Sequence, residues 1–491
     1  VWEDLSGTGG DTSGRAIRGQ LFKADGSPKG GELLINTTTA GDQMNPELAV
    51  LDDDRFAVTW ESVQGTTGGI RASVFNSEGL LFDTEKLVFS FIGRQQKYSK
   101  AAFVKDGNNK DWLIVGNSDY YADQVYRTGY RLEPTSVVQA YQSTNNDYAP
   151  TSEVEMVGLG DRYAIFSKWR GLSFALNIFR TDGASHRIAL PASTANYAKD
   201  QLDTAVLADG KFVLVYRTTD LVDGSSSSIR AQMFNNDGTL FGSDFQVNSS
   251  TTGAQTTPQV TALATGGFAI VFNDYVDSND VARIRTFDAK GVPQGNDERI
   301  FATHGQNGPT ITGLADGRIM FAWTENSTGT NDGVDIRGQI FDMRTSAVTV
   351  KGTAGADHYY GTAWNDTFTG AGGNDTLEGG GGTNTAIFSG NASAYTVTQN
   401  SDGTTTVTGP DGTDTLKNIR ILQFKDQTVL PAGNTAPSAP SLSSTQASED
   451  MLTTSIVATL ASADADGDPL TYSLDATDGP FRIDGNLLVL T

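Results

Sequence analysis

Cysteine is absent from the 491 residues, and histidine occurs only at His186, His304 and His358. The first absence excludes disulfide frameworks, thiolate zinc sites, iron–sulfur clusters and a cysteine nucleophile. The second leaves too few imidazoles for a multi-histidine metal centre. Basic residues are also scarce: 35 Lys and Arg face 58 Asp and Glu, a net charge of −23. A field of that sign repels phosphate backbones and anionic lipid, so nucleic acid and membrane surfaces are disfavoured and cations are the natural partners. No stretch approaches the roughly 18 apolar residues of a membrane-spanning helix, and residues 1–20 lack the basic and apolar regions of a signal peptide. An export signal is therefore expected to have been removed or to lie outside this chain.

What is present suffices for packed cores: 37% hydrophobic residues and 9% aromatics, with charged residues at 19%, too sparse for a disordered polyelectrolyte. At about 100–200 residues per domain the length predicts two to four domains.

One pattern recurs seven times. A strand with arginine near its start and an aromatic or long apolar end appears at 17–22 (IRGQLF), 70–75 (IRASVF), 126–131 (YRTGYR), 174–179 (FALNIF), 229–234 (IRAQMF), 282–287 (ARIRTF) and 336–341 (IRGQIF). Each follows a second apolar strand, such as FAVTWES at 56–62 or FVLVYR at 212–217. A third strand, often opened by Gln-x-x-Pro (Gln43 to Pro46, Gln255 to Pro258, Gln306 to Pro309), precedes six of these. A fourth follows the arginine strand after turns such as ADGS (24–27) and NNDG (235–238). Four short antiparallel strands repeated at about 50 residues are the footprint of a β-propeller, here of seven blades over residues 1–347. The first strand of blade one is missing, and the units near 112–132 and 163–179 carry the motif in altered or shortened form.

After Val350 the composition shifts. Residues 352–387 divide into four nine-residue units, GTAGADHYY, GTAWNDTFT, GAGGNDTLE and GGGGTNTAI. These resemble the RTX nonapeptide Gly-Gly-x-Gly-x-Asp-x-apolar-x of secreted bacterial proteins, and residues 390–424 look like the β-rich segment that caps such repeats. NTAPSAPS (434–441) is a Pro/Ser linker. The segment from Glu449 onward is similar to the first half of bacterial cadherin-like domains, so the chain reads as a fragment of something longer. The expected fold is all-β: propeller (1–347), RTX parallel β-roll with β-rich cap (348–432), then linker and partial cadherin-like β-sandwich (433–491).

The nonapeptides carry the strongest chemistry. The sixth-position carboxylate, glycine-permitted tight turns and free carbonyls make an oxygen-only shell suited to Ca²⁺. Alternate units stack on one side, which places Asp357 with Asp375 and Asp366 with Asn384, roughly one calcium on each side. Tyr359, Phe368, Leu377 and Ala386 would fill the roll. Trp364 in place of glycine and Asn384 in place of Asp make the second side the weaker one. A further cation site is suggested by Glu449 with Asp464, Asp466 and Asp468, alternating acids whose convergence only a cation makes tolerable. In the propeller, Arg18, Arg71, Arg230 and Arg337 and the acids Glu3, Glu61, Asp274 and Glu325 recur blade by blade, as inter-strand or inter-blade latches do. Gln43, Gln255 and Gln306 read as strand-entry groups bonding to backbone.

Catalysis would need a break in this repetition, such as Asp119 with Tyr120 and Tyr121, Asp147 with Tyr148, or His304. Each is also ordinary loop composition, no GxSxG, HExxH or phosphate-loop motif follows a suitable strand, and no catalytic residue is assigned. The composite resemblance implies a secreted, calcium-binding bacterial surface or matrix protein, exported by a one-step type I route and acting in adhesion or assembly. Its partners would be calcium and either polysaccharide or another copy. The alternative is an extracellular polysaccharide hydrolase or lyase with its active site on the propeller.

Overall fold

The computed structural model describes all residues except 6, 8–9, 24–25, 52–54, 93–95, 107, 120–123, 134–135, 146–153, 170–172, 181–184, 190–198, 220–223, 265, 277–278, 304–308, 327–333, 345, 431–437, 444–455, 463–469, 471, 473–480, 485 and 491. The chain is all-β and forms two compact units, Val1–Met343 and Arg344–Thr491.

The first unit is a ring of seven antiparallel sheets, each a simple meander. Blade 1 comprises Trp2–Asp4, Ala16–Phe22 and Pro28–Leu34; blade 2, Asp42–Val50, Phe56–Gln64, Thr67–Phe75 and Lys86–Ile92. Blade 3 comprises Gln96–Lys105, Asp111–Asp119, Gln124–Glu133 and Ser136–Asn145; blade 4, Val154–Gly158, Arg162–Trp169, Ser173–Arg180 and Ser185–Ala189. Blade 5 comprises Lys199–Val206, Phe212–Thr218, Ser228–Phe234 and Leu240–Gln246; blade 6, Ala254–Ala262, Phe268–Val276, Asn279–Phe287 and Glu298–Thr303. Blade 7 comprises Thr310–Gly313, Ile319–Asn326 and Val334–Phe341. Blades 3 and 4, whose motif is altered in sequence, are complete four-stranded sheets. In blades 2 to 7 the first strands pack on one another in succession, which sets them around the axis.

The recurring sequence features each have a structural cause. The aromatic residue that opens the second strand faces the one that ends the arginine strand: Phe56 on Phe75 at 5.1 Å, Phe212 on Phe234 at 4.9 Å and Phe268 on Phe287 at 5.0 Å between ring centroids. Directly opposed aromatic pairs of this kind stabilise neighbouring strands through burial and ring stacking. The Gln-x-x-Pro motif marks a bulge in the axial strand. Asn45 and Thr257, each just before proline, take left-handed backbone at φ +52° and +48°, where the register slips between Met44 and Glu47 and between Thr256 and Gln259. Gln43 and Gln255 hold these entries by donating to the carbonyls of Ala40 and Thr252; Gln306 lies outside the described residues.

Ring closure can be read from equivalent contacts. The turn glycine of blade 2, Gly79, lies so close to Leu21 and Leu33 of blade 1 that a methyl group there would meet Leu33 at 2.7 Å, and Gly291 of blade 6 stands likewise over Met233 and Phe245 of blade 5. Gly26 of blade 1 stands over Ile340 of blade 7, 3.3 Å from where its methyl would be. Leu21, Met233 and Ile340 hold the same place in the arginine strand, so blade 1 sits on blade 7 as blade 2 sits on blade 1. The ring therefore closes with three strands in both its first and last blades among the described residues.

In blades 2 and 6 an acid latches the blade to the one before. Glu85 of blade 2 accepts from the backbone and hydroxyls of Thr37 and Thr38, after the last strand of blade 1, and from Arg71 at 2.6 Å. Asp297 of blade 6 does the same for Ser249 and Ser250 after blade 5. Arg18 pairs with Asp4, Arg230 with Asp244 and Arg283 with Asp274, all within a blade. Burial alone would raise the Glu85 carboxyl, but the threonine bonds outweigh it and hold it below the usual range. Glu85→Gln, which keeps one acceptor oxygen against several donors, should cost about 1–2 kcal/mol at neutral pH in a urea titration. Because the folded carboxyl is depressed, its contribution is present above the unfolded value and fades as pH falls through the folded one; the variant and the parent should converge there.

In the second unit two five-stranded sheets face each other. One runs Thr349–Lys351, Thr367–Thr369, Thr385–Ile387, Ile421–Gln423 and Thr428–Val429. The other runs His358–Tyr360, Thr376–Glu378, Gly412–Lys417, Thr405–Gly409 and Thr396–Gln399. The nonapeptide strands alternate between the sheets and pair in parallel, while the cap adds antiparallel hairpins at one end of each. Tyr359, Phe368, Leu377 and Ala386 point inward and are buried with Val350, Leu416 and Leu422. A separate sheet of four short strands, Ser441–Leu442, Ile456–Ala461, Leu487–Leu490 and Phe481–Asp484, lies near the end of the chain.

Candidate metal centre

The parallel registers decide which sixth positions are neighbours. His358 faces Thr376 and Thr376 faces Thr415, so Asp357, Asp375 and Asp414 form one line of residues. Thr349 faces Thr367, which faces Thr385, which faces Ile421; the opposite line is Val348, Asp366, Asn384 and Arg420. The side chains stitch successive rungs. Asp375 Oδ1 accepts the Asp357 N–H at 2.9 Å, Asp414 Oδ1 accepts the Asp375 N–H at 3.0 Å, Asn384 Oδ1 accepts the Asp366 N–H at 2.8 Å and Asp366 Oδ1 accepts the Val348 N–H at 2.8 Å. The structure thus brings Asp357 beside Asp375 and Asp366 beside Asn384. It adds Asp414, which the nine-residue register misses because residues 388–411 interrupt it. A signal was available: GTDTLK at 412–417 echoes GNDTLE at 373–378.

The two lines differ in how their carboxylates are satisfied. Thr362, second in its unit, gives both its N–H (2.5 Å) and its hydroxyl to Asp366, and Thr353 does the same for Asp357, N–H at 2.7 Å. In the third unit that place is Ala371, held in left-handed backbone at φ +71°, and no hydroxyl caps Asp375. Asp375 is 2% exposed, yet its Oδ2 has no hydrogen-bond partner among the described residues. Burial, then the charges of Asp414, Asp357 and Asp411, push its carboxyl up to about 7, and burial and Asp411 raise Asp414. Such an oxygen, starved of donors and surrounded by acids, fits a cation. No three His, Asp or Glu side chains converge on one point among the described residues, so carboxylate pairs and backbone carbonyls would make up the shell.

The turns are packed tightly enough to require glycine. At Gly412, φ +127°, a methyl group would sit 1.5 Å from the Gly373 carbonyl oxygen, so the Asp375 and Asp414 turns touch backbone to backbone. Asp411 beside them is committed: burial would raise it, but bonds from Ser389 and from the Tyr395 hydroxyl hold it below the usual range.

A second group of ionisable residues lies at the propeller axis. Lys100 on the first strand of blade 3 reaches Glu47 of blade 2 at 2.6 Å and Glu155 of blade 4 at 3.2 Å. Asp203 of blade 5 accepts the Val260 N–H of blade 6 at 2.6 Å. Burial drives Glu155 up to about 8 and Asp203 to about 6, against the pull of Lys100. Burial would lower Lys100, but Glu155 and Glu47 raise it further than that. Glu449, Asp464, Asp466, Asp468, His304, Tyr120, Tyr121, Asp147 and Tyr148 lie outside the described residues, as do the side chains of Asp119 and Glu325.

Residues 351–386 match the RTX calcium-binding nonapeptide repeat, in four copies, and that repeat family binds calcium. No curated protein matches the chain in sequence. Among solved structures, the chain is similar to a NanB sialidase of Streptococcus pneumoniae, with 9% identity over 61% of this chain and 68% of that one and a TM-score of 0.40. It is also similar to an α-L-arabinanase of Penicillium chrysogenum, with 12% identity over 60% and 93% of the two chains and a TM-score of 0.42. A third similar structure is a protein of unknown function from Dyadobacter fermentans, with 11% identity over 62% and 95% and a TM-score of 0.41.

Proposed function

We propose that this is a secreted, calcium-ordered bacterial surface or matrix protein acting in adhesion or surface assembly, its propeller serving as a binding or self-contact head. The observation that carries the reading is the match of 351–386 to calcium-binding nonapeptides together with the buried, unpartnered Asp375 oxygen inside them. Asp357 and Asp375 are the residues that would hold or border calcium, Asp366 and Asn384 form the weaker pair across the roll, and Glu449, Asp464, Asp466 and Asp468 are a second group toward a cadherin-like C-terminal segment. The domain boundaries that go with it are 1–347, 348–432 and 433–491. A chain of charge −23 folds against its own repulsion, and millimolar calcium outside the cell would relieve it, linking folding to binding.

The rival, a polysaccharide hydrolase or lyase, would need two free carboxylates facing a sugar. At the axis Lys100 stands between Glu47 and Glu155 and occupies both, which suits a structural latch better. Calcium titration of the full chain watched by light scattering tests the reading. Uptake between about 0.1 and 1 mM, the usual extracellular range, with compaction or assembly is expected. No uptake sinks it, and release of reducing sugar from bacterial polysaccharides would replace adhesion by catalysis.

A further inference from the structure

The four sixth-position groups of the roll are not equivalent. Asp366 is saturated by Thr362 and the Val348 N–H, its line begins on an apolar Val348 and ends on Arg420, and no two carboxylates are adjacent along it. Asn384 puts an amide donor where a cation would draw on carbonyls: its Nδ2 donates to Gly381 O at 2.8 Å and Asn418 O at 2.9 Å. That flank is closed by hydrogen bonds. On the other flank three carboxylates follow one another without a break, and the free oxygen belongs to the middle one, Asp375. Asp357, on the near side of it, is capped by Thr353; Asp414, on the far side, accepts the Asp375 N–H and no hydroxyl caps it among the described residues.

We infer that the cation stack of the roll is confined to one flank and runs past the nonapeptides, with a divalent cation held between the Asp375 turn and the Asp414 rung; this rests on the reading of the roll as a calcium-ordered element. The two carboxylates supply the charge, and the carbonyls of the turns around Gly373 and Gly412 supply neutral oxygens, the hard-oxygen set that calcium takes. Asp414 lies outside the matched repeats, so the cap contributes a ligand as well as covering the end of the core. The opposite flank needs no metal, and the turn chemistry says why: a threonine second in the unit caps the carboxylate, and an asparagine sixth in the unit bonds the carbonyls.

The test is a calorimetric calcium titration of the full chain and of three variants, Asp375→Asn, Asp414→Asn and Asp366→Asn. Asparagine keeps the oxygen that accepts the neighbouring N–H and removes the charge. The expected result is that Asp375→Asn and Asp414→Asn each lose one bound calcium or weaken it at least tenfold, whereas Asp366→Asn titrates like the parent. If Asp414→Asn titrates like the parent while Asp375→Asn is impaired, the inference is overturned and the cation belongs beside Asp357. A loss in Asp366→Asn equal to that in Asp414→Asn overturns the one-sided stack. If the parent takes up no calcium, the underlying reading fails instead. Circular dichroism in excess calcium, compared with the parent, establishes that each variant is folded; should Asp414→Asn not fold, Asp414→Ser, which also keeps an acceptor oxygen, replaces it.

Discussion

Replacing Lys100 by methionine should destabilise the propeller by about 3–5 kcal/mol at pH 8, the usual cost of stranding buried acids without their cation. Lys100 holds Glu47 and Glu155 from two neighbouring blades, and its charge also acts on Asp203 of a third. The pH dependence separates this from simple loss of packing. Glu155 and Asp203 have folded values raised above their ordinary ones, so the folded state binds more protons than the unfolded between the ordinary carboxylate range and about 8. Stability therefore falls as pH rises through that window in the parent, and more steeply in the variant. At pH 5 both acids take up protons and the penalty should shrink to a fraction of its pH 8 value. Urea titration followed by tryptophan fluorescence reports it, since five of the six tryptophans, buried Trp60 among them, lie in residues 1–343. A loss equal at pH 5 and pH 8 would refute the electrostatic account, and Glu155→Gln added to the variant should recover part of it.

Removing calcium should act on the other unit. With free calcium at about one hundred times Kd, each site contributes about 2.7 kcal/mol that chelator abolishes. For a unit the size of 344–491 that corresponds to a fall in Tm of roughly 5–10 °C per site. Residues 1–343 should be nearly unaffected, so calorimetry should show one transition shifting and one staying in place. Equal shifts of both would place the metal elsewhere.

How far the sequence reaches depends on whether a feature repeats. The arginine strands and their terminal aromatics are legible because every blade needs the same cross-strand stack, and the nine-residue register because every rung needs the same turn. What repetition does not carry is lost. Lys100, Glu155 and Asp203 sit on axial strands of different blades, and nothing local announces that the ring brings them together. Asp414 is hidden by the hairpin segment that separates it from the fourth nonapeptide, although its rung pairs as directly as the others. The acids within the register differ in a way that the sixth position does not announce. Asp357 and Asp366 look alike in the repeat, and both are capped by a threonine four residues earlier, whereas Asp375 is not. A repeat consensus weights the acid; the residue at the second position decides what the acid has left to offer.

The hairpins that end both sheets of the roll have a consequence for how it is built. Parallel rungs three residues long have little pairing of their own, and a two-sheet stack of them offers no local starting point. The antiparallel strands Thr396–Gln399, Thr405–Gly409 and Gly412–Lys417 are contiguous in sequence, as are Ile421–Gln423 and Thr428–Val429, and each set closes through short turns. They can assemble first and present two ready edges, onto which Thr376–Glu378 and Thr385–Ile387 add, followed by the earlier rungs. A roll templated in this way from its C-terminal end would leave the nonapeptides of a chain emerging N-terminus first unpaired until the seed behind them arrives.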